Sequence, residues 1–228
     1  PTRFEATRNR EGSGEQMSSQ SSASPQSLRI EIFADVICPW CYIGKKRLDA
    51  ALAKRPHITP RIVWRTFLLN PTMPEDGMHR ASYLAAKFGH SAAAVYGRIA
   101  AAGLDSGIRF NFDAITRTPD SRKAQKMLLV AGGDTDRLSE ALYHAYFLAG
   151  RDIGERDVLA GIAAEIGRPE LIEALENETV QRQLDTDIAR AHQLNLDGVP
   201  YFIFGEAYAI AGAHIPEHLI PAIDAATA

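Results

Sequence analysis

Cysteine is nearly absent from this chain, with two residues in 228. Two thiols cannot build the disulfide framework that small secreted domains use as scaffolding, so an apolar core has to hold the fold together. A chain of this length with 46% hydrophobic residues can bury one. Long apolar runs are also missing. No stretch approaches the roughly 18 residues of a spanning helix, so no membrane role is expected. Nor is there an excess of positive charge: 25 Lys and Arg against 28 Asp and Glu leave a net charge of −3. A domain that neutralises phosphates is clearly basic, so dedicated nucleic-acid binding is not expected. Internal repeats are absent, and low-complexity sequence is confined to the first residues.

Residues 1–27 (PTRFEATRNREGSGEQMSSQSSASPQS) are Ser-rich, carry mixed charge and contain one aromatic, Phe4. That composition reads as a flexible tail or extension. It lacks the apolar core of about 7 to 15 residues that a secretory signal needs, which makes the cytoplasm the expected compartment. The chain opens with Pro1, and Met17 is the expected natural start.

Beyond the tail, RIEIFADV (29–36) and RIVWRTF (61–67) read as strands flanking a helix that begins near Pro39 and ends at Pro56. On that helix Ile43, Leu48, Ala51 and Leu52 share an apolar side, and Lys45, Lys46 and Arg47 are expected to face water. Residues 78–195 read as successive helices punctuated by Gly89, Gly103, Gly132-Gly133, Gly150 and Gly167, with Ile108–Phe112 a candidate extended piece. Tyr143, Tyr146 and Phe147 are expected in the core of this block. VPYFIF, a turn at Gly205-Glu206, AYAIAG and a helix over 216–226 close the chain. The expected architecture is α/β. Residues 28–75 and 196–228 form one domain, interrupted by an all-helical domain over 76–195.

Cys38 and Cys41 stand at the start of the first helix. Unpaired N–H groups and the helix dipole there favour an anion, so Cys38 is expected to attack, or be attacked, as a thiolate. Cys41 lies one turn further in, where it would resolve a mixed disulfide. Structural zinc requires further ligands, and His214 and His218 are the one histidine pair with ligand spacing. Two inert core thiols are the other alternative. At the far end of the sequence, Pro200 opens a strand. A cis bond after Val199 would bring that loop beside the dithiol, with the Val199 backbone offered to an extended substrate. An ordinary trans proline on an edge strand is the competing reading.

The segment FADVICPWCYIGKKRL resembles the active-site region of DsbA-type disulfide oxidoreductases, in the FrnE-like branch with a Cys-Pro-Trp-Cys centre. WRTFLLNP (64–71), ALYHAYF (141–147), GVPYF (198–202) and Gly212-Ala213 extend the resemblance over residues 29–226. It implies a thioredoxin-like fold with a helical insertion, Cys38 and Cys41 as the catalytic pair, and Pro39, Trp40, Val199 and Pro200 beside the substrate. Three positions depart from the pattern. Ile32 stands where DsbA and thioredoxins carry a buried acid, which leaves Asp35 as the carboxylate nearest in sequence to shuttle the proton of Cys41, or simply to bind backbone. Asp120-Ser121 replaces an expected Asn-Thr pair. Trp40 replaces the histidine of DsbA and offers a single N–H donor, so a less oxidising dithiol is expected; Trp40 is also expected to be partly buried against the helical domain.

Three functions follow. The first is a thiol–disulfide oxidoreductase that needs no metal or organic cofactor and acts on protein dithiols or disulfides, or on glutathione. The second is a glutathione-dependent isomerase or transferase of small aromatics, similar to 2-hydroxychromene-2-carboxylate isomerases; those relatives carry serine at the Cys38 position, which weighs against it. The third is a non-catalytic docking module. His192 and His214 are not expected to act.

Overall fold

The computed structural model describes residues 26–228, so most of the expected tail, including Met17, lies outside the described residues. Strand β1 (Gln26–Ala34) starts ahead of the expected Arg29, so Gln26 and Ser27 belong to the sheet. It alternates in the manner of a strand with both faces covered. Leu28, Ile30, Ile32 and Ala34 point one way, Glu31 and Phe33 the other, and all six are buried. Helix α1 (Pro39–Ala53) follows with Pro39 at its first position, where no N–H is needed. Strand β2 (Ile58–Thr66) returns parallel to β1, with Ile32 opposite Trp64.

Between β2 and the third main strand the chain is helical: α2 (Arg80–Phe88), α3 (Ala92–Asp105), α4 (Arg122–Val130), α5 (Thr135–Phe147), α6 (Arg156–Glu165) and α7 (Glu178–Gln193). A two-residue ladder joins β3 (Met78–His79) to β4 (Arg117–Thr118), and a 3-10 helix spans Pro169–Glu176. Neither carries a sequence pattern long enough to read. The chain then re-enters the main sheet as β5 (Tyr201–Phe204) and β6 (Tyr208–Ala211) and ends on α8 (Pro216–Ala226). The sheet order is β2-β1-β5-β6, with β5 antiparallel to β1.

Two expectations are corrected. Ile108–Phe112 is not a strand. Ile108 N–H caps α3 by bonding Gly103 C=O at 2.8 Å, Asn111 N–H bonds Phe147 C=O at 2.9 Å, and Phe110 stacks on Phe112, so these groups are engaged without a partner strand. The basic trio of α1 is not a solvated face either. Lys45 is buried and lies 2.9 Å from Asp49 and 2.8 Å from Asp136; Lys46 reaches Glu140 at 2.6 Å; Arg47 bonds Ser106 Oγ at 2.9 Å and Ala213 C=O at 2.6 Å. Helical periodicity set these residues opposite the sheet, but that side of α1 is covered by α5 and by the chain beyond β6. The tyrosine cluster is core as expected: Tyr143, Tyr146 and Phe147 have no exposed surface.

Candidate active site

The end of β1 sets the site. After Ala34 the chain turns through Asp35, and Cys38 N–H bonds Asp35 C=O at 3.0 Å, which places Cys38 at the N-cap of α1 in extended geometry (φ −94°, ψ 114°). Its own carbonyl accepts from Cys41 N–H at 3.0 Å and begins the helix, and no side chain caps this first turn. Cys38 Sγ therefore sits where the positive end of the helix is unscreened by a capping side chain. Across from it is Val199: the Cys38 thiol donates to the Val199 carbonyl over 3.7 Å, and the Val199–Pro200 peptide bond is cis. Gly44 permits this approach. A β-carbon there would stand 2.7 Å from Pro200 Cγ and 3.2 Å from Phe202 Cζ.

Cys41 occupies the inner position. Both sulfurs are free thiols and both residues are buried, Cys38 at 4% and Cys41 at 2% exposed. Burial pushes its thiol well above the ordinary range; the neighbouring Cys38 and the charge of Asp35 add to the rise, and only the Asp35 backbone N–H opposes it.

Asp35 is fully buried, and its carboxyl is raised to about 6 by burial. Donors offset part of that rise: Leu69 N–H at 2.7 Å, Ile37 N–H at 3.3 Å, the Ser121 hydroxyl and Gln125 Nε2 at 3.5 Å. Asp35 thus binds backbone, and its charge is among the causes that raise the Cys41 thiol. Ser121, from the departing Asp-Ser pair, belongs to the site through this bond.

Gln125 escaped the sequence reading. It is fully buried on α4; its amide nitrogen reaches Ala34 C=O (3.0 Å) and Phe67 C=O (3.3 Å), and its oxygen accepts from Trp64 Nε1 at 2.7 Å. The available signal was a lone polar residue sharing the apolar side of α4 with Ala124 and Leu128. Trp40, expected to be partly buried, is among the exposed large hydrophobics at 36%. Its place in the first turn of α1 leaves part of the indole at the surface. His214 lies in the β6–α8 connection and bonds Ala211 C=O.

A buried thiol with a buried carboxylate beside it, in front of it a second thiol at a helix N-terminus, and an open backbone carbonyl opposite form an arrangement suited to exchanging a disulfide bond. The family model of the DSBA-like thioredoxin domain matches residues 29–224. Among solved structures, the chain is similar to a probable DsbA oxidoreductase of Streptomyces coelicolor (TM-score 0.77, 29% identity, 87% of this chain and 89% of that one). It is similar in fold to the cytosolic disulfide reductase DsbM of Pseudomonas aeruginosa solved with GSH (TM-score 0.60, 19% identity, 87% of this chain and 95% of that one). YwbO of Bacillus subtilis is 22% identical over 185 residues, which are 79% of this chain and 88% of YwbO.

Proposed function

The chain belongs to the DSBA-like thioredoxin domain family, and from that premise we propose that it is a thiol–disulfide oxidoreductase of the FrnE-like branch, working through Cys38 and Cys41. The observation that carries this reading is the asymmetry of the pair. Both are buried, but Cys38 caps a helix in front of the Val199 carbonyl, while Cys41 lies one turn further along with its proton held tightly. In the reductive direction, Cys38 sulfur bonds to one sulfur of a substrate disulfide and the other substrate sulfur leaves as a thiolate. Cys41 then gives up its proton and bonds to Cys38, and the second substrate sulfur leaves. The pair loses two electrons and the substrate gains them. Asp35 is the proposed store for the Cys41 proton, since the proton affinity of its carboxyl overlaps the neutral range.

Pro39, Trp40, Val199 and Pro200 are the proposed substrate contacts, with the Val199 backbone pairing with an extended segment. The substrates are protein disulfides or dithiols, or glutathione as the small-thiol partner; the likeness to DsbM in its GSH complex supports including glutathione. A reducing cytoplasm is the proposed compartment, supported by the description of that reductase as cytosolic. Among the described residues no helix is long and apolar enough to cross a membrane. With Trp40 in place of an imidazole, the pair should be more reducing than the roughly −120 mV of DsbA.

Two variants and one titration test this. Cys38→Ser should abolish reduction of a protein disulfide, and Cys41→Ser should accumulate a covalent mixed disulfide visible by mass spectrometry. Equilibration of the wild type with glutathione buffers should place it below the DsbA potential. Full turnover by the Cys38 variant would overturn the reading.

A further inference from the structure

Asp35 can store a proton but cannot deliver it to solvent, because no part of it is exposed. Cys38 lies next to Cys41 on the substrate side. Behind Cys41, between α1, β2 and α5, is a small chamber of about 20 Å³. It is bounded by Cys41 and Lys45 on α1, by Ile32 and Trp64 on the strands, and by Ser139 and Tyr143 on α5. A single ordered water needs about 10 to 15 Å³ and two to four polar partners. The chamber meets the volume, and the partners are present. The Tyr143 hydroxyl is completely buried and has no hydrogen-bond partner among the described residues. Ser139 Oγ donates to Asp136 C=O at 2.8 Å, which leaves its lone pairs free to accept.

The chamber adjoins a larger groove. Asp49, Ile62, Trp64, Thr135 and Asp136 line it and also line a groove of about 850 Å³ along β2 that opens at Pro60 and Arg61. At their junction, the buried Lys45 ammonium is held between the carboxylates of Asp49 and Asp136, and Asp136 is largely exposed.

We propose that this chamber is a water site, anchored by the Tyr143 hydroxyl, through which the Cys41 thiol exchanges its proton with the solvent in the β2 groove. Tyr143 is then a positioning residue: it orders the water and the water touches the sulfur. The inference rests on Cys41 being the resolving thiol. As Cys41 sulfur bonds to Cys38 sulfur and the substrate thiolate departs, the Cys41 proton, which Asp35 can hold but not pass to solvent, leaves through the chamber water. A proton moves on from that water to the carboxylate of Asp136 or Asp49 and thence to bulk, and the departing thiolate is protonated from bulk. Every other ionisable group facing Cys41 is accounted for: Cys38 and Lys45 on α1, Asp35 before it, and Tyr143 with Glu140 on α5; β2 contributes only Ile62 and Trp64. The Tyr143 phenol is held neutral because burial, and then the charges of Cys41, Cys38, Asp35 and Glu140, raise it, so it stays a donor at working pH.

The test uses the reduced full chain and a chromogenic aromatic disulfide, followed by stopped flow. The first equivalent of coloured thiolate reports attack by Cys38, and the second reports resolution by Cys41. Tyr143→Phe removes a hydroxyl that bonds to nothing in the protein, so folding should be retained. The second phase should slow about tenfold near neutral pH and recover at higher pH, equivalent to about one unit in the effective acidity of Cys41, with the first phase unchanged. Ser139→Val, which fills the chamber from the other side of α5, should give the same signature. A second phase unchanged in both variants would overturn the proposal, as would equal slowing of both phases, which is the mark of a packing defect. A wild type that releases only one equivalent would instead overturn the two-thiol reading on which the proposal rests.

Discussion

Asp35 carries a carboxylate into a place without solvent, and the structure lets the size of that effect be judged. Its carboxyl is raised from an ordinary 3.8 to about 6. The folded state therefore binds the proton more tightly than the unfolded chain does. The corresponding stability is fully present below about pH 4 and is lost as pH rises through 6, by about 3 kcal/mol in all. Asp35→Asn should remove that loss. In urea unfolding at pH 4 and pH 8, the wild type should lose about 2.4 kcal/mol more than the variant over the interval. Identical pH slopes would show that the buried carboxylate is as well solvated by its donors as by water. Glu31, within β1, shows the contrary balance. Burial alone would raise it, but hydrogen bonds from Arg65 and Arg29 outweigh burial and hold it below the usual range. The two buried acids, four residues apart, thus diverge: burial outweighs the backbone and neutral side-chain donors of Asp35, whereas guanidinium groups outweigh burial at Glu31.

At the scale of elements, the contact between α1 and the loop before β5 decides whether the dithiol has a partner surface. Glycine inside a helix is unfavourable by about 1 kcal/mol relative to alanine, so Gly44 would be a poor choice on propensity alone. The Pro200 ring explains it, since a β-carbon would lie 2.7 Å from Pro200 Cγ and a proline ring cannot swing aside. Overpacking of this kind costs about 1 to 3 kcal/mol, which exceeds the propensity gain. Gly44→Ala is thus expected to lower stability by up to about 2 kcal/mol and to displace Val199 from Cys38. Disulfide reduction should fall several-fold while a small alkylating reagent still reaches Cys38. Wild-type turnover with raised stability would mean that the loop simply yields. The strand–helix–strand order was legible here from β-branched runs, Pro39 and the glycine stops, because those signals are local. The corrected elements lacked such signals: Ile108–Phe112 has a strand-like composition but no partner, and the ladder of β3 and β4 is only two residues long.

For the molecule as a whole, the helical segment is fastened to the sheet by ionic contacts as well as by the shared apolar core. On α7, the buried Asp187 accepts from Arg65 at 3.1 Å and from Thr66 N–H at 3.1 Å, while Arg65 also reaches Glu31 at 2.9 Å. On the other face of the sheet, Glu140 of α5 accepts from Tyr42 and Lys46 of α1. Removing Asp187 strands one backbone N–H and half the pairing of a half-buried guanidinium. Asp187→Ala should therefore cost about 3 kcal/mol, and Asp187→Asn, which keeps an acceptor for Thr66, distinctly less. In thermal unfolding the alanine variant should melt roughly 6 to 12 °C below the wild type. A shift within about 2 °C would mean that α7 is held by its apolar side alone.

Residue order and spacing were enough to read the succession of strands and helices, the pair Cys38 and Cys41 at a helix start, the proline before β5 and the aromatic core of α5, because each is encoded within a few neighbouring residues. Tertiary structure alone decided which groups surround the thiols. Gln125 and Ser121 arrive from α4 and its cap, Tyr143 from α5 and Leu69 from the loop after β2. The ammonium of Lys45 is buried only because α5 lies across it. Burial and electrostatic environment are properties of assembled surfaces, and no local window of the chain contains both sides of such a surface.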